Sequence, residues 1–401
     1  MSEPTQTDGL ALAELMSPEL ARNPQPMYGM LRESSPVLRV DGVGVVVTSR
    51  SEVDRILRDP GLFSSSMSAH DLKTERPLIP LQIDPPAHRT FRRILDPLFA
   101  PQRVRALEEP VARLVNDLID GFVDQNEIDF AARFSVPFPS QVFLTLFGLP
   151  LDEMPTFLGM KDGVIRPDHV VGHEFGHPET EAHQQRTADA IYAYFERVLD
   201  ERVGEERDDL LSHLLRAEVD GERLTRDDML DICFLFLIAG LDTVSASLDC
   251  FFGHLAGDPA ARRTVVERPD LIPSVVEELL RWETPVMAVA RVATRDAEVG
   301  GCPVRAGEHV MAIIGAANVD ESEVPDAGAL RWDRDVNRHL AFGGGIHRCL
   351  GSHLARLELR VAVREWHRRI PDYCVPPGVE LDYTAGIRTL ERFPMLLRRA
   401  A

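Results

Sequence analysis

The sequence predicts a mainly α-helical fold with a small β-rich side, and three observations carry that expectation. Apolar residues recur at helical spacing through long segments around 86–100, 103–124, 183–203, 226–255 and 271–283. Strand signals are short and confined to an early alternating stretch and to 286–293, 297–304 and 308–313. Gly and Pro mark the joints, yet no linker is long enough to separate independent units, so the 401 residues read as a single large domain. Residues 1–34 form its N-terminal extension and first helix.

Taken in order, "VLRVDGVGVVVTSR" alternates and turns at Asp41-Gly42, a strong hairpin signal. The helix over 86–100 begins within "DPPAHRTFR". In the segment 226–255, "ICFLFLIAG" leads into "LDTVSA", where Gly240 and Thr243 interrupt an otherwise strong apolar helix. Helix packing at a small residue explains that break, with the Thr243 hydroxyl bonding back to the carbonyl of Ala239. Further on, Gly343, Gly344 and Gly345 exclude a helix or strand interior. Beyond Gly351 an apolar-periodic helix begins, and it carries Arg356, Arg360, Arg364 and Arg368 at i, i+4 spacing. On its own such a stripe reads as a solvated face.

Composition narrows the function classes. A hydrophobic share of 44% supports a large core, and 64 acidic against 44 basic residues give a net charge of −20, which argues against nucleic acid as the main partner. The longest strongly apolar run is about half a bilayer span. The polar, acidic start "MSEPTQTDGL" lacks the basic then apolar order of an export signal, and a cytoplasmic location is expected. Five cysteines, Cys233, Cys250, Cys302, Cys349 and Cys374, are odd in number and contain no C-x-x-C, so chemistry at sulfur rests on a single thiol.

"HEFGHP", His173 to Pro178, matches the H-E-x-x-H pattern of zinc proteases, which needs a helix to bring both imidazoles to one metal. Gly176 inside the turn and Pro178 directly after it oppose that helix. Three residues past His177 stands Thr180, where a metzincin has Gly. The segment reads as a polar surface connection, part of an expected substrate-entrance loop spanning His169–His183.

Cys349 sits at a glycine-rich bend entering a helix N-terminus. Exposed backbone amides, the helix dipole, His347 and Arg348 all favour a thiolate there, as nucleophile or metal ligand. Phe342, Gly345, Cys349 and Gly351 spell F-x-x-G-x-x-x-C-x-G, which resembles the haem-binding loop of the cytochrome P-450 family. "EELLR" with Glu278 and Arg281, "AGLDTV", "DPPAHRTFR" and the ending "RTLERFPM" resemble further family signatures, so the likeness runs over about 35–397.

That resemblance implies the cytochrome P-450 fold, with haem b buried between the long central helix and the loop 338–351, and Cys349 as axial ligand of the iron. It places His88, Arg92, Arg291 and His347 around the haem carboxylates, with Phe342 and Gly351 in the loop. Glu278 and Arg281, which by spacing alone form a surface pair worth little, join Arg334 of "WDRDVNRH" to hold it. Val336 and Arg338 stand where prolines are common in the family. Asp242 and Thr243 become the acid–alcohol pair that relays protons.

The function implied is monooxygenation, hydroxylation or epoxidation of a small to medium apolar substrate. Electrons would come from a separate ferredoxin, or flavodoxin, with an NAD(P)H-dependent reductase, and a monomer is expected. A peroxide-driven peroxygenase would be expected to lack the Asp242–Thr243 pair, and a haem sensor or carrier would not turn over. The pocket expected from the resemblance is lined by Leu78, Leu81, Leu235, Ile238, Ala239, Val286, Met287, Val289 and Ile387, with Arg76 at its rim. Arg89, Arg92, Arg93 and Arg356 form the expected face for an acidic partner.

Overall fold

Strands Val37–Val40 and Gly44–Val47 pair antiparallel with Leu38 opposite Val46, the hairpin that the alternation and Asp41-Gly42 predict. In this computed structural model, which describes residues 17–66, 76–205, 207–219 and 221–398, the hairpin is one edge of a five-stranded sheet. His309–Ala312 joins Gly44–Val47 in parallel, Val289–Ala293 pairs antiparallel with it, and Phe63–Ser64 closes the order. Inward valines of alternating strands, Val45, Val47 and Val310, fill one small core with Val53, Ile56 and Phe63. The part of the expected N-terminal extension in residues 1–16 lies outside the described residues.

Helices and three smaller sheets make the rest, and two expected helices are divided. Segment 103–124 becomes Pro101–Ala106 and Glu108–Asp120, meeting at Leu107. Segment 226–255 becomes Arg226–Gly240 and Thr243–Gly257, broken at Leu241 and Asp242. The first of this central pair starts on a capping box between Thr225 and Asp228. Helix Pro178–Arg202 begins five residues before the expected start, because Pro178 suits a first helical turn and His177 caps it. Segment 297–304 is a tight hairpin of Ala297–Val299 and Cys302–Val304, and strand 286–293 starts only at Val289. Helices Pro137–Phe147 and Met154–Ile165 had no counterpart in the sequence reading.

Two large apolar clusters hold the helices. One gathers Phe130, Phe134, Phe252 and Tyr373 around the fully buried Trp366 of helix Ser352–Arg369. The other packs Phe143, Phe147, Phe157 and Phe195 against helix Arg226–Gly240. The span Arg226–Gly257 is long and apolar enough to cross a membrane, but 78% of its most apolar window is buried within the fold. Leu350 and Leu354, just past Cys349, pack on the second cluster. The cysteine loop and the central helix pair therefore meet the same body of side chains.

Candidate active site

The loop that carries Cys349 is pressed onto helix Arg50–Arg58. At Gly345, with φ of 63°, a Cβ would stand 2.0 Å from the carbonyl oxygen of Leu57, so only glycine fits the fixed position of the motif. The amide of Cys349 donates to the carbonyl of Phe342 at 2.9 Å and closes the loop before helix Ser352–Arg369. Burial pushes the Cys349 thiol above its usual value, and the Gly351 amide with Arg92, Arg348 and Arg356 only partly offsets it. The backbone amide and the three arginines act toward a thiolate, the direction expected of the loop, and a coordinated cation completes the deprotonation of such a thiol.

Beneath the loop lies a carboxylate with no access to water. Glu278 takes Arg281 Nε and Nη2 at 2.8 and 2.7 Å, the Arg331 amide at 2.9 Å, Asn337 Nδ2 at 2.9 Å and Arg334 at 3.2–3.3 Å. Arg281 also donates to the carbonyls of Asn318, Ala327 and Ala329. The pair is not the surface contact that its i, i+3 spacing alone allows: Glu278 is 0% exposed. Burial opposes the charge, yet the Arg281 bonds and their neighbours hold Glu278 below the usual carboxylate range. Val336 and Arg338, in place of prolines, leave Arg334 able to reach Glu278.

Neighbouring Glu277 does the same between helices. It accepts Arg356 at 2.7 and 2.9 Å, Arg360 at 3.3 Å and contacts His339 at 3.1 Å, and Arg356 lies 4.3 Å from the centre of the Phe342 ring. Despite its burial, Glu277 is drawn down to about 2 by His339 and Arg356. Arg356 is therefore corrected as a partner-face residue: at 16% exposure and paired to Glu277, it offers no free charge. The arginine stripe is an interhelical lacing, with Arg364 on Glu108 and Arg369 on Asp120.

Opposite in character is a group of basic side chains of which, among the described residues, only Arg92 reaches a carboxylate. The His88 and His347 rings lie 4.4 Å apart, and the Nε2 of each is buried without a partner. Buried Arg291 gives Nη1 to the carbonyl of Ala290 at 2.7 Å and makes no ion pair among the described residues. Arg92 donates to the carbonyl of Arg348 and to Asp96. Burial lowers His347 to about 3, with the charges of His88 and Arg291 adding to it. Orphaned donors at this density fit an anion of two carboxylates, which is what haem brings.

At the break in the central helix, Asp242 is buried and bonds Lys161 Nζ at 3.1 Å and Arg166 Nη2 at 2.6 Å. Neither cation was found in the sequence, since both lie on or beside helix Met154–Ile165. Arg166 also bonds Asp162 and Thr389. Burial works against the charge of Arg166, and Asp242 more than restores it. The Thr243 hydroxyl donates to the Ala239 carbonyl at 3.0 Å, the back-bond that the sequence reading describes. Ala239 is exposed and Gly240 half-buried, although their neighbours on both sides are buried. The helix thus presents bare backbone to a hollow where Thr243 begins. Asp242 also lines a solvent-open cavity of 1110 Å³ with Ile387, Thr384, Asp168 and Phe175.

The family model described as cytochrome P450 matches residues 41–365. The chain belongs to the cytochrome P450 family. It is 33% identical to mycinamicin IV hydroxylase/epoxidase of Micromonospora griseorubida, over 90% of this chain and 91% of that one. Its identity to steroid C26-monooxygenase of Mycobacterium tuberculosis is also 33%, over 88% and 87%. The solved cytochrome P450 CYP109Q5 of Chondromyces apiculatus superposes with a TM-score of 0.87 at 31% identity, over 96% and 98% of the two chains. The fold, the haem b cofactor with its thiolate-ligated iron and the class of oxygen-incorporating oxidoreductase follow.

Several residues of the P450 pocket expected from the sequence take different places. Leu78, Leu235 and Ile238 share the helical cluster, and Val286 bridges Ile387. Val289 leans on the sheet core, and Leu81 is exposed. Met287 is corrected: it packs with Tyr28, Leu31, Leu38 and Val46, because successive residues of an extended segment face opposite ways. Arg76 is corrected too, since Asp231 at 2.6 Å and Asp227 at 3.1 Å already pair it. Arg89 and Arg93 are exposed on helix Ala87–Leu95.

Proposed function

We propose that this P450 hydroxylates or epoxidises a small to medium apolar molecule, with Cys349 as iron ligand, His88, Arg92, Arg291 and His347 around the haem carboxylates, and Asp242 and Thr243 as the proton relay. The observation that carries the reading is Asp242: a buried acid at a helix break, next to Thr243 and lining a cavity open to water. When bound, haem supplies dioxygen activation, placing one oxygen atom in a C–H or C=C bond and releasing the other as water with two external electrons.

The chain's own residues then have distinct tasks. Thr243 must turn its hydroxyl from the Ala239 carbonyl, a weak back-bond, to donate into the hollow. Asp242 takes protons from the cavity side and must loosen one of two cation bonds to pass them on. Lys161 and Arg166 hold it oriented meanwhile. Aliphatic Leu235, Ile238, Val286 and Ile387 exclude water from the reacting carbon. A relative named for a steroid and a solved cytochrome P450 in complex with testosterone favour the larger end of the size range.

A separate ferredoxin or flavodoxin with an NAD(P)H-dependent reductase would supply the electrons. Arg89, Arg338 and Arg348 are exposed and make no side-chain ion pair among the described residues. Arg338 and Arg348 line a 1310 Å³ groove with Gly343, Gly344 and Gly345, and Val336 offers an apolar centre there. These three arginines replace Arg356 in the proposed docking face. Screening steroids, mycinamicin IV, terpenoids and fatty acids for the low-spin to high-spin shift of the haem tests the substrate class. Shifts confined to charged, water-soluble compounds would overturn it.

A further inference from the structure

His173 and His177 fail as a helical zinc motif, yet the loop brings them together by another route and adds a third ligand. Helix Pro178–Arg202 places Glu179 on its first turn, and Glu179 Oε2 lies 3.3 Å from His173 Nε2. The two imidazole rings stack at 4.1 Å with 15° between their planes. One ligand atom from each of His173, His177 and Glu179 lies within 4.8 Å of the others. Two ligands at ~2.1 Å from a tetrahedral ion stand ~3.4 Å apart, so the His173–Glu179 separation already matches a shared metal. The sequence reading looked for the third ligand at Thr180 and passed over its neighbour.

The backbone fixes this arrangement. Gly176, with φ of 87°, turns the chain so that His177 caps the helix, and the His177 amide bonds the carbonyl of Glu174 at 3.1 Å. Thr180 Oγ1 bonds the carbonyl of His173 at 3.1 Å and ties the loop's start to the same helix. His177 Nδ1 accepts the Glu179 amide at 3.3 Å, a long cap that is readily exchanged for a metal bond. Between the two histidines stands Phe175, 58% exposed and lining the cavity that reaches Asp242.

We propose that His173, His177 and Glu179 bind one divalent transition-metal ion, zinc by the two-imidazole, one-carboxylate set, and that the ion clamps the loop 172–177 at the mouth of this cavity. The site is separate from the haem, and no hydrolysis follows from it, because the pattern's Glu174 is not on a helix beside the metal. Rigid loop and metal together hold Phe175 in one position across the opening.

The test uses the haem-loaded full chain, stripped with chelator and titrated with zinc chloride, metal retained being counted by elemental analysis. One zinc per chain is expected, with affinity falling ~100-fold in a His173→Ala, His177→Ala double variant and ~10-fold in Glu179→Gln, in the range that lost ligands and their neighbours produce. Amide hydrogen exchange over 172–178 should slow about tenfold on adding zinc to the parent and not to the double variant. Equal zinc affinity in parent and double variant overturns the site. Stoichiometric zinc with unchanged exchange overturns the clamp. Haem content is the control that separates either result from misfolding.

Discussion

Two buried carboxylates, Glu278 and Asp242, sit among cations and differ in how completely they are enclosed. Glu278, under the Cys349 loop, takes bonds from Arg281, Arg334, Asn337 and a backbone amide, and it is sealed from water. Asp242, 2% exposed at the helix break, has two cationic partners on and just past a neighbouring helix and a solvent-open cavity beside it. A sealed carboxylate with four groups converging on it allows few arrangements, so it fixes the segment 329–337 that leads into the loop. A network of two bonds at the edge of water has more than one arrangement of similar energy. The first suits a scaffold and the second suits a group that must give up and regain protons.

The largest break in this contrast should come from the loop that Glu278 supports. Cys349→His should abolish the red-shifted Soret band of the reduced carbon monoxide complex while leaving folding intact, read by absorbance and circular dichroism. Glu278→Ala leaves Arg281 and Arg334 buried and unpaired, which costs ~3–5 kcal/mol. Its haem content should fall and its thermal midpoint drop by many degrees, whereas Asp242→Asn should retain haem.

A smaller effect comes from acid. The folded Glu277 lies at about 2 against an ordinary 4.5, so its contribution is full above 4.5 and is lost as pH falls toward 2. Unfolding free energy of the parent should decline over that window, and Glu277→Gln should flatten the decline. The same neighbourhood makes Arg356→Glu a folding variant, two carboxylates facing one another, in place of a docking variant. The mildest change is expected at the surface. Arg89→Glu with Arg348→Glu should slow reduction by an acidic ferredoxin a few-fold at low salt, the difference vanishing as salt rises. Equal rates at low salt would remove those arginines from the docking face.

The contrast was only half legible in the sequence. Gly240 and Thr243 announce the helix break, and the fixed glycines around Cys349 announce the loop, because both are local backbone effects. Glu278 and Arg281 show their spacing but not their burial, which depends on the segment 318–340 folding back over them. Lys161 and Arg166 lie 81 and 76 residues from Asp242. No local pattern links charges that far apart. The arginine stripe misled for the same reason, since its partners Glu277, Glu108 and Asp120 come from other helices. Met287 was misplaced because one apolar residue looks like the next until the strand's facing is known.

The central claim is that Asp242 and Thr243 deliver protons while Glu278 only holds the loop. It is tested most directly by counting NAD(P)H, dioxygen, hydrogen peroxide and product in one reaction for the parent, Thr243→Ala and Asp242→Asn on the best substrate found. Thr243→Ala should keep consuming NAD(P)H and dioxygen but release more peroxide for each product. Asp242→Asn should slow turnover on the order of 100-fold, the scale of losing a positioned proton donor, with less diversion to peroxide. A Thr243→Ala enzyme as tightly coupled as the parent would contradict the account and move proton delivery to ordered water or a substrate hydroxyl.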